Sequence, residues 1–184
     1  MTQNKRLLAR IFIFLVASLT LAACIDSATP ILTDAQPVFG PRLNLQLYTL
    51  HKDVADEPEK VSYAWNGKLY ARAGGGMKDI GAITLHAFEA GDYILQAVPV
   101  RAKSTIEYAL LHKLASGTYL VIAIDEADAD EATRDANCTH PGGTACRITT
   151  REQLFALARA TAAHHKDEGG LVLRLPDAPA KRRP

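Results

Sequence analysis

The chain has 184 residues, with 21 lysines and arginines against 20 aspartates and glutamates and a formal net charge of +1. So balanced a charge excludes general nucleic-acid binding, which needs a strong basic excess to neutralise phosphates. Hydrophobic residues make up 48% and charged residues 22%, a globular composition at a length that fits one domain with a sizeable core.

Residues 1–10 carry Lys5, Arg6 and Arg10 and no acid, and Ile11 to Leu21 is apolar apart from Ser18 and Thr20. A basic segment, an apolar segment and a small-residue exit form a secretory signal. The apolar run is eleven residues long, short of the roughly 20 that cross a bilayer. Its end, Leu21-Ala22-Ala23-Cys24, resembles a bacterial lipobox: an aliphatic residue, two small residues, then cysteine. The resemblance covers residues 1–24 alone and implies location, not activity. It implies that residues 1–23 are removed as a signal peptide. Cys24 then becomes an acylated N-terminus, carrying palmitate-type chains that hold the protein in a lipid bilayer of the bacterial cell envelope. In many such proteins an aspartate after the cysteine retains them in the inner membrane. Ile25 stands there instead, which points to the outer membrane, facing the periplasm. Removing the leader takes three of the 21 basic residues and no acid, leaving 18 against 20.

Residues 24–41 contain Pro30, Pro37 and Pro41 with Ser27, Thr29 and Gly40, and read as a lipidated tether reaching roughly 30–50 Å if extended at about 3.3 Å per residue. A single β-rich domain is expected over 42–176. Leu43-Asn44-Leu45-Gln46-Leu47 alternates with period two, the pattern of a half-buried strand. Val61 to Trp65, Asn66-Gly67 and Lys68 to Arg72 read as a hairpin with a type I′ turn. Gly74-Gly75-Gly76 reads as a flexible connection. Leu85-His86 followed by Gly91-x-Tyr93 recurs 26 residues later as Leu111-His112 followed by Gly117-x-Tyr119, so strand–turn–strand units succeed one another as an antiparallel meander.

Asp125 to Asp135 holds six carboxylates against Arg134 and reads as a solvated loop. A helix of about fifteen residues opens at Thr149-Thr150-Arg151-Glu152-Gln153, where Thr149 with Glu152 and Thr150 with Gln153 both fit a capping box. Leu154, Leu157, Ala158, Thr161 and Ala162 form its apolar stripe. His164 and His165 close it, and Gly169-Gly170 stop it. Leu171 to Leu175 is a last strand, and 177–184, with Lys181-Arg182-Arg183, a disordered basic tail. The fold class expected is α+β, mainly β. It comprises an antiparallel meander of six to eight strands, as a small barrel or open sheet, with one C-terminal amphipathic helix.

With Cys24 assigned to lipid, Cys138 and Cys146 are an even pair in an exported chain and read as a disulfide closed by the turn at Pro141-Gly142-Gly143. His51, His86 and His112 share a Leu-His context, and three imidazoles converging from successive hairpins would suit Zn²⁺ or Cu²⁺. No fourth ligand stands at a diagnostic spacing, so strand histidines near repeated turns are the simpler reading. The acidic run lacks the glycine and glutamate spacing of a calcium loop. Gly74 to Lys78 lacks the phosphate-loop pattern, and neither Ser104 nor Ser116 stands in a nucleophile elbow. The sequence assigns no catalytic residue and no cofactor. The functional expectation is a membrane-anchored envelope lipoprotein with a non-catalytic binding or structural module, its partner an envelope protein, glycan or lipid. The alternative is a periplasmic metal-binding protein or metalloenzyme using His51, His86 and His112.

Overall fold

Period-two alternation decides where each strand's side chains go. The computed structural model describes residues 25–49, 57–75, 79–100, 105–140, 146–165 and 171–175. Among the described residues there are nine strands: β1 (Asp26–Ser27), β2 (Arg42–Thr49), β3 (Glu59–Trp65), β4 (Tyr70–Gly75), β5 (Ile80–Ala87), β6 (Tyr93–Pro99), β7 (Ile106–Ala115), β8 (Thr118–Ala123) and β9 (Leu171–Arg174). Strands β2 to β8 pair in sequence order, all antiparallel. Strand β9 then pairs with both β8 and β2: Arg174 lies opposite Thr118 on one side and Gln46 on the other. The meander therefore closes into an eight-stranded barrel, with β1 paired outside it on β7. Of the two sheet forms expected, the closed barrel is the one adopted.

Eight strands enclose an interior just wide enough for side chains to fill. Leu43, Leu45 and Leu47 of β2, Val61 and Tyr63 of β3, Tyr70, Ile83, Leu85, Leu111, Tyr119 and Leu173 point inward as one buried cluster. The gap that Leu43, Leu45, Ile83, Leu85, Leu111 and Leu173 share has no space for a water molecule. Phe39, from the segment before β2, meets Tyr93 and Tyr119 edge to face at 5.1 and 5.7 Å, and the Tyr70 hydroxyl donates to the Gly40 carbonyl at 2.8 Å.

A second core lies on the outside of β6 and β7. Ile94, Ile106, Tyr108 and Leu110 face outward and are buried in one cluster with Ile25 and Leu32 of the N-terminal segment and with Leu154, Leu157 and Ala158 of helix α2 (Arg151–His164). The choice between the two capping boxes falls on Thr150 with Gln153: the Thr150 hydroxyl accepts from the Gln153 N–H, and Gln153 Oε1 accepts from the Thr150 N–H.

Four expectations are corrected. The tether is not free over its described part, residues 25–41. Ile25 and Leu32 are 0% and 2% exposed, and Ile25 and Asp26 donate backbone hydrogen bonds to Ile124 and Cys146. Ile25 and Leu32 stand at no helical or strand period in this segment, yet burying each contributes about 1.5–3 kcal/mol. The acidic run is not a plain loop. Asp125 caps a 3-10 turn at Glu126–Asp128, and Asp130 caps helix α1 (Glu131–Asn137), because aspartate accepts from the otherwise unpaired N–H groups of a helix start. The β3–β4 hairpin forms, but only Gly67 has positive φ, and the Asn66 side chain accepts from the Lys68 and Leu69 N–H groups. A type I′ turn needs positive φ at both central residues. Gly74 and Gly75 belong to β4, and a Cβ on Gly75 would lie 2.0 Å from the Lys60 carbonyl oxygen.

Replacing Ile25 by Ala should lower unfolding stability in urea by about 2–5 kcal/mol, the cost of a large-to-small change in a core. A free tether would give a change within about 0.5 kcal/mol.

Candidate functional site

Because the barrel is filled, chemistry has to be sought on its outer surface. Cys138 and Cys146 lie at bonding distance, S–S 2.10 Å, and Cys146 is buried. Closing so short a loop contributes roughly 2–3 kcal/mol in the chain-entropy account. Thr139 and Arg147 exchange two backbone hydrogen bonds beside the bridge, and Ile148 donates to the Asp26 carbonyl. The disulfide thereby fixes the strip on which residues 25–27 lie. Residues 141–145, the expected turn, lie outside the described residues, as do Cys24, His51, Ser104 and the basic tail.

His86 of β5 points outward yet is 4% exposed, because residues 31–34 cross over it. Its partners define its tautomer. Gln96 Oε1 accepts from the N–H groups of Ile31 and Leu32, each at 3.1 Å, so its amide nitrogen must donate, to the Leu32 carbonyl and the Thr84 hydroxyl. The Thr84 hydroxyl then donates to His86 Nε2 at 2.9 Å, and the His86 Nδ1–H donates to Asp34 at 3.2 Å. Arg151 donates to the other Asp34 oxygen at 3.1 Å. This Thr–His–Asp order has the connectivity of a hydrolase triad. The Thr84 hydroxyl is buried and engaged on both sides, so the network is a latch for the N-terminal segment.

Burial pushes the His86 imidazole below its ordinary pKa, more strongly than the charge and hydrogen bond of Asp34 raise it, and Arg151 adds to the lowering. At Asp34, burial acts upward but is outweighed by the Arg151 hydrogen bond, a backbone hydrogen bond and the charges of Arg151 and His86, so its carboxyl falls below the usual range.

His112 of β7 is taken by a different carboxylate, Asp92 at 2.9 Å, which also accepts from the Lys113 N–H. Neither His86 nor His112 belongs to any group of three metal-capable side chains among the described residues. The structure thus does not bring these two strand histidines together.

Two other groups do converge. Glu126, Cys138 and His140 meet, but the Cys138 sulfur is committed to the disulfide. Asp128, His164 and His165 place one donor atom each within 4.8 Å of one another. They stand where the 3-10 turn meets the C-terminal end of α2, beside an open groove of about 600 Å³ that Asp130 and Arg159 also line. His165 Nε2 lies 2.9 Å from Asp128 Oδ1. Thr161 accepts from the Asp125 N–H, so its hydroxyl hydrogen goes to Asp128 Oδ2 at 2.9 Å. In the sequence His164 and His165 read only as a helix-end pair, and Asp128, 36 positions from His164, carries no spacing signal that joins it to them.

The His86 pKa sets a sign for stability against pH. Its folded value lies below the unfolded value of about 6.5, so between the two the unfolded chain holds more protons and stability falls on acidification. Unfolding free energy measured from pH 8 to pH 5 should therefore drop, and a His86→Gln variant should show a shallower drop. An equal or steeper slope in the variant would contradict this role. The chain matches no family model, no curated protein and no solved structure.

Proposed function

We propose that the protein is a membrane-anchored cell-envelope lipoprotein whose barrel is a non-catalytic binding or structural module. The observation that carries the reading is Leu21-Ala22-Ala23-Cys24 behind a basic and then apolar leader. Acyl chains on Cys24 would contribute about 0.8 kcal/mol per buried methylene, and two or more give stable anchoring.

The packing of the next residue adds to it. Ile25 is fully buried, so an acylated Cys24 would have no spacer between its lipid and the domain. The barrel would sit against the head groups, in place of the roughly 30–50 Å reach that the tether reading allows. A filled interior supports recognition by the outer surface, of an envelope protein, glycan or lipid. Ile25 at the second mature position supports the outer membrane.

Labelled palmitate fed to expressing bacteria should be incorporated into the wild-type chain and not into Cys24→Ala. Wild type that stays unlabelled, or label that survives the substitution, would contradict the anchoring.

A further inference from the structure

Asp128, His164 and His165 present donor atoms already spaced for a metal ion. Zinc bonds to imidazole nitrogen and carboxylate oxygen are about 2.0–2.2 Å, so two ligands on one tetrahedral ion stand roughly 3.3 Å apart. The His165 Nε2 to Asp128 Oδ1 separation is 2.9 Å, and the His164 donor lies within 4.8 Å of both. We infer that Asp128, His164 and His165 form a binding site for a divalent first-row transition ion of the zinc type.

Three features favour a cation at this point. The Asp128 side chain is only 7% exposed, and Thr161 holds its Oδ2, the outer-shell support that orients a ligating carboxylate. His164 is the last residue of α2 and His165 its cap, so the ion would meet the negative end of the helix dipole. Two imidazoles and one carboxylate are also a set that borderline metals take in preference to Ca²⁺ or Mg²⁺, which require oxygen ligands.

Three protein ligands leave a coordination position open. Asp128 and His164 both line the groove, so that position would face a space accessible to water or a small anionic ligand. Arg159 lines the same groove but is paired with Glu89 at 2.7 Å. This site is separate from the strand histidines, and it does not depend on lipidation of Cys24.

The test is calorimetric titration of the detergent-purified full chain with Zn²⁺ after EDTA treatment and dialysis. The expected result is an ion bound at this site, its affinity weakened at least about tenfold by each of Asp128→Asn, His164→Ala and His165→Ala. A second ion whose binding is insensitive to all three variants would leave the inference standing, provided the first is lost. Absence of Zn²⁺ binding, or binding unchanged in all three variants, would overturn it. His164 is exposed, so His164→Ala should keep the wild-type thermal midpoint without metal, which separates lost ligation from lost folding.

Discussion

Four residues close this structure. Leu171–Arg174 hydrogen-bonds on both edges, to β2 and to β8, and joins the two ends of a seven-strand meander. Without that strand, β2 and β8 would each present a row of unpaired N–H and C=O groups, the usual site of edge-to-edge association. With it, Leu173 enters the barrel beside Leu43, Leu45 and Leu47, and the interior is sealed as a packed core. Recognition is thereby moved to the outside.

The outside is not uniform. Strands β6 and β7 bury both faces: Leu111 points into the barrel while its neighbour Leu110 meets the outer core. A polar residue organises that second layer. Gln96 is 1% exposed and receives the Ile31 and Leu32 N–H groups while donating to Leu32 and Thr84. Buried amides are costly unless satisfied, and here each partner of Gln96 comes either from the crossing segment or from β5. The N-terminal segment is thus locked by polar matching as well as by Ile25 and Leu32. A lipid on the preceding residue would transmit position directly to the barrel.

Much of the fold was legible. Leu43 to Leu47 alternates cleanly, the 26-residue recurrence marks hairpins, and Thr150 with Gln153 marks the helix start. These signals are local, and local periodicity and capping act within a few residues. Barrel closure was not legible, since β9 meets β2 across more than a hundred residues and nothing in Leu171 to Leu175 distinguishes an edge strand from a closing one. The burial of Ile25 and Leu32 was hidden because the apolar residues around Pro30, Pro37 and Pro41 follow no helical or strand period. Helix α1 was masked by its own charge: Asp130 served as a cap where the acidic run suggested only solvation. The cysteine pair was legible from the expectation that Cys24 carries lipid on an exported chain, which leaves Cys138 and Cys146 as an even pair. The meeting of Asp128 with His164 and His165 was not, because it depends on how the 3-10 turn docks on α2.

Closure is the claim on which the rest stands, and amide hydrogen exchange of the full chain tests it most directly. The account predicts that Leu171 and Leu173 of β9, together with Leu45 and Leu47 of β2, exchange only at the rate of global unfolding, as central strands do. Exchange of β9 or of β2 amides at the rate of a fraying edge, while β5 to β7 remain protected, would contradict a closed barrel.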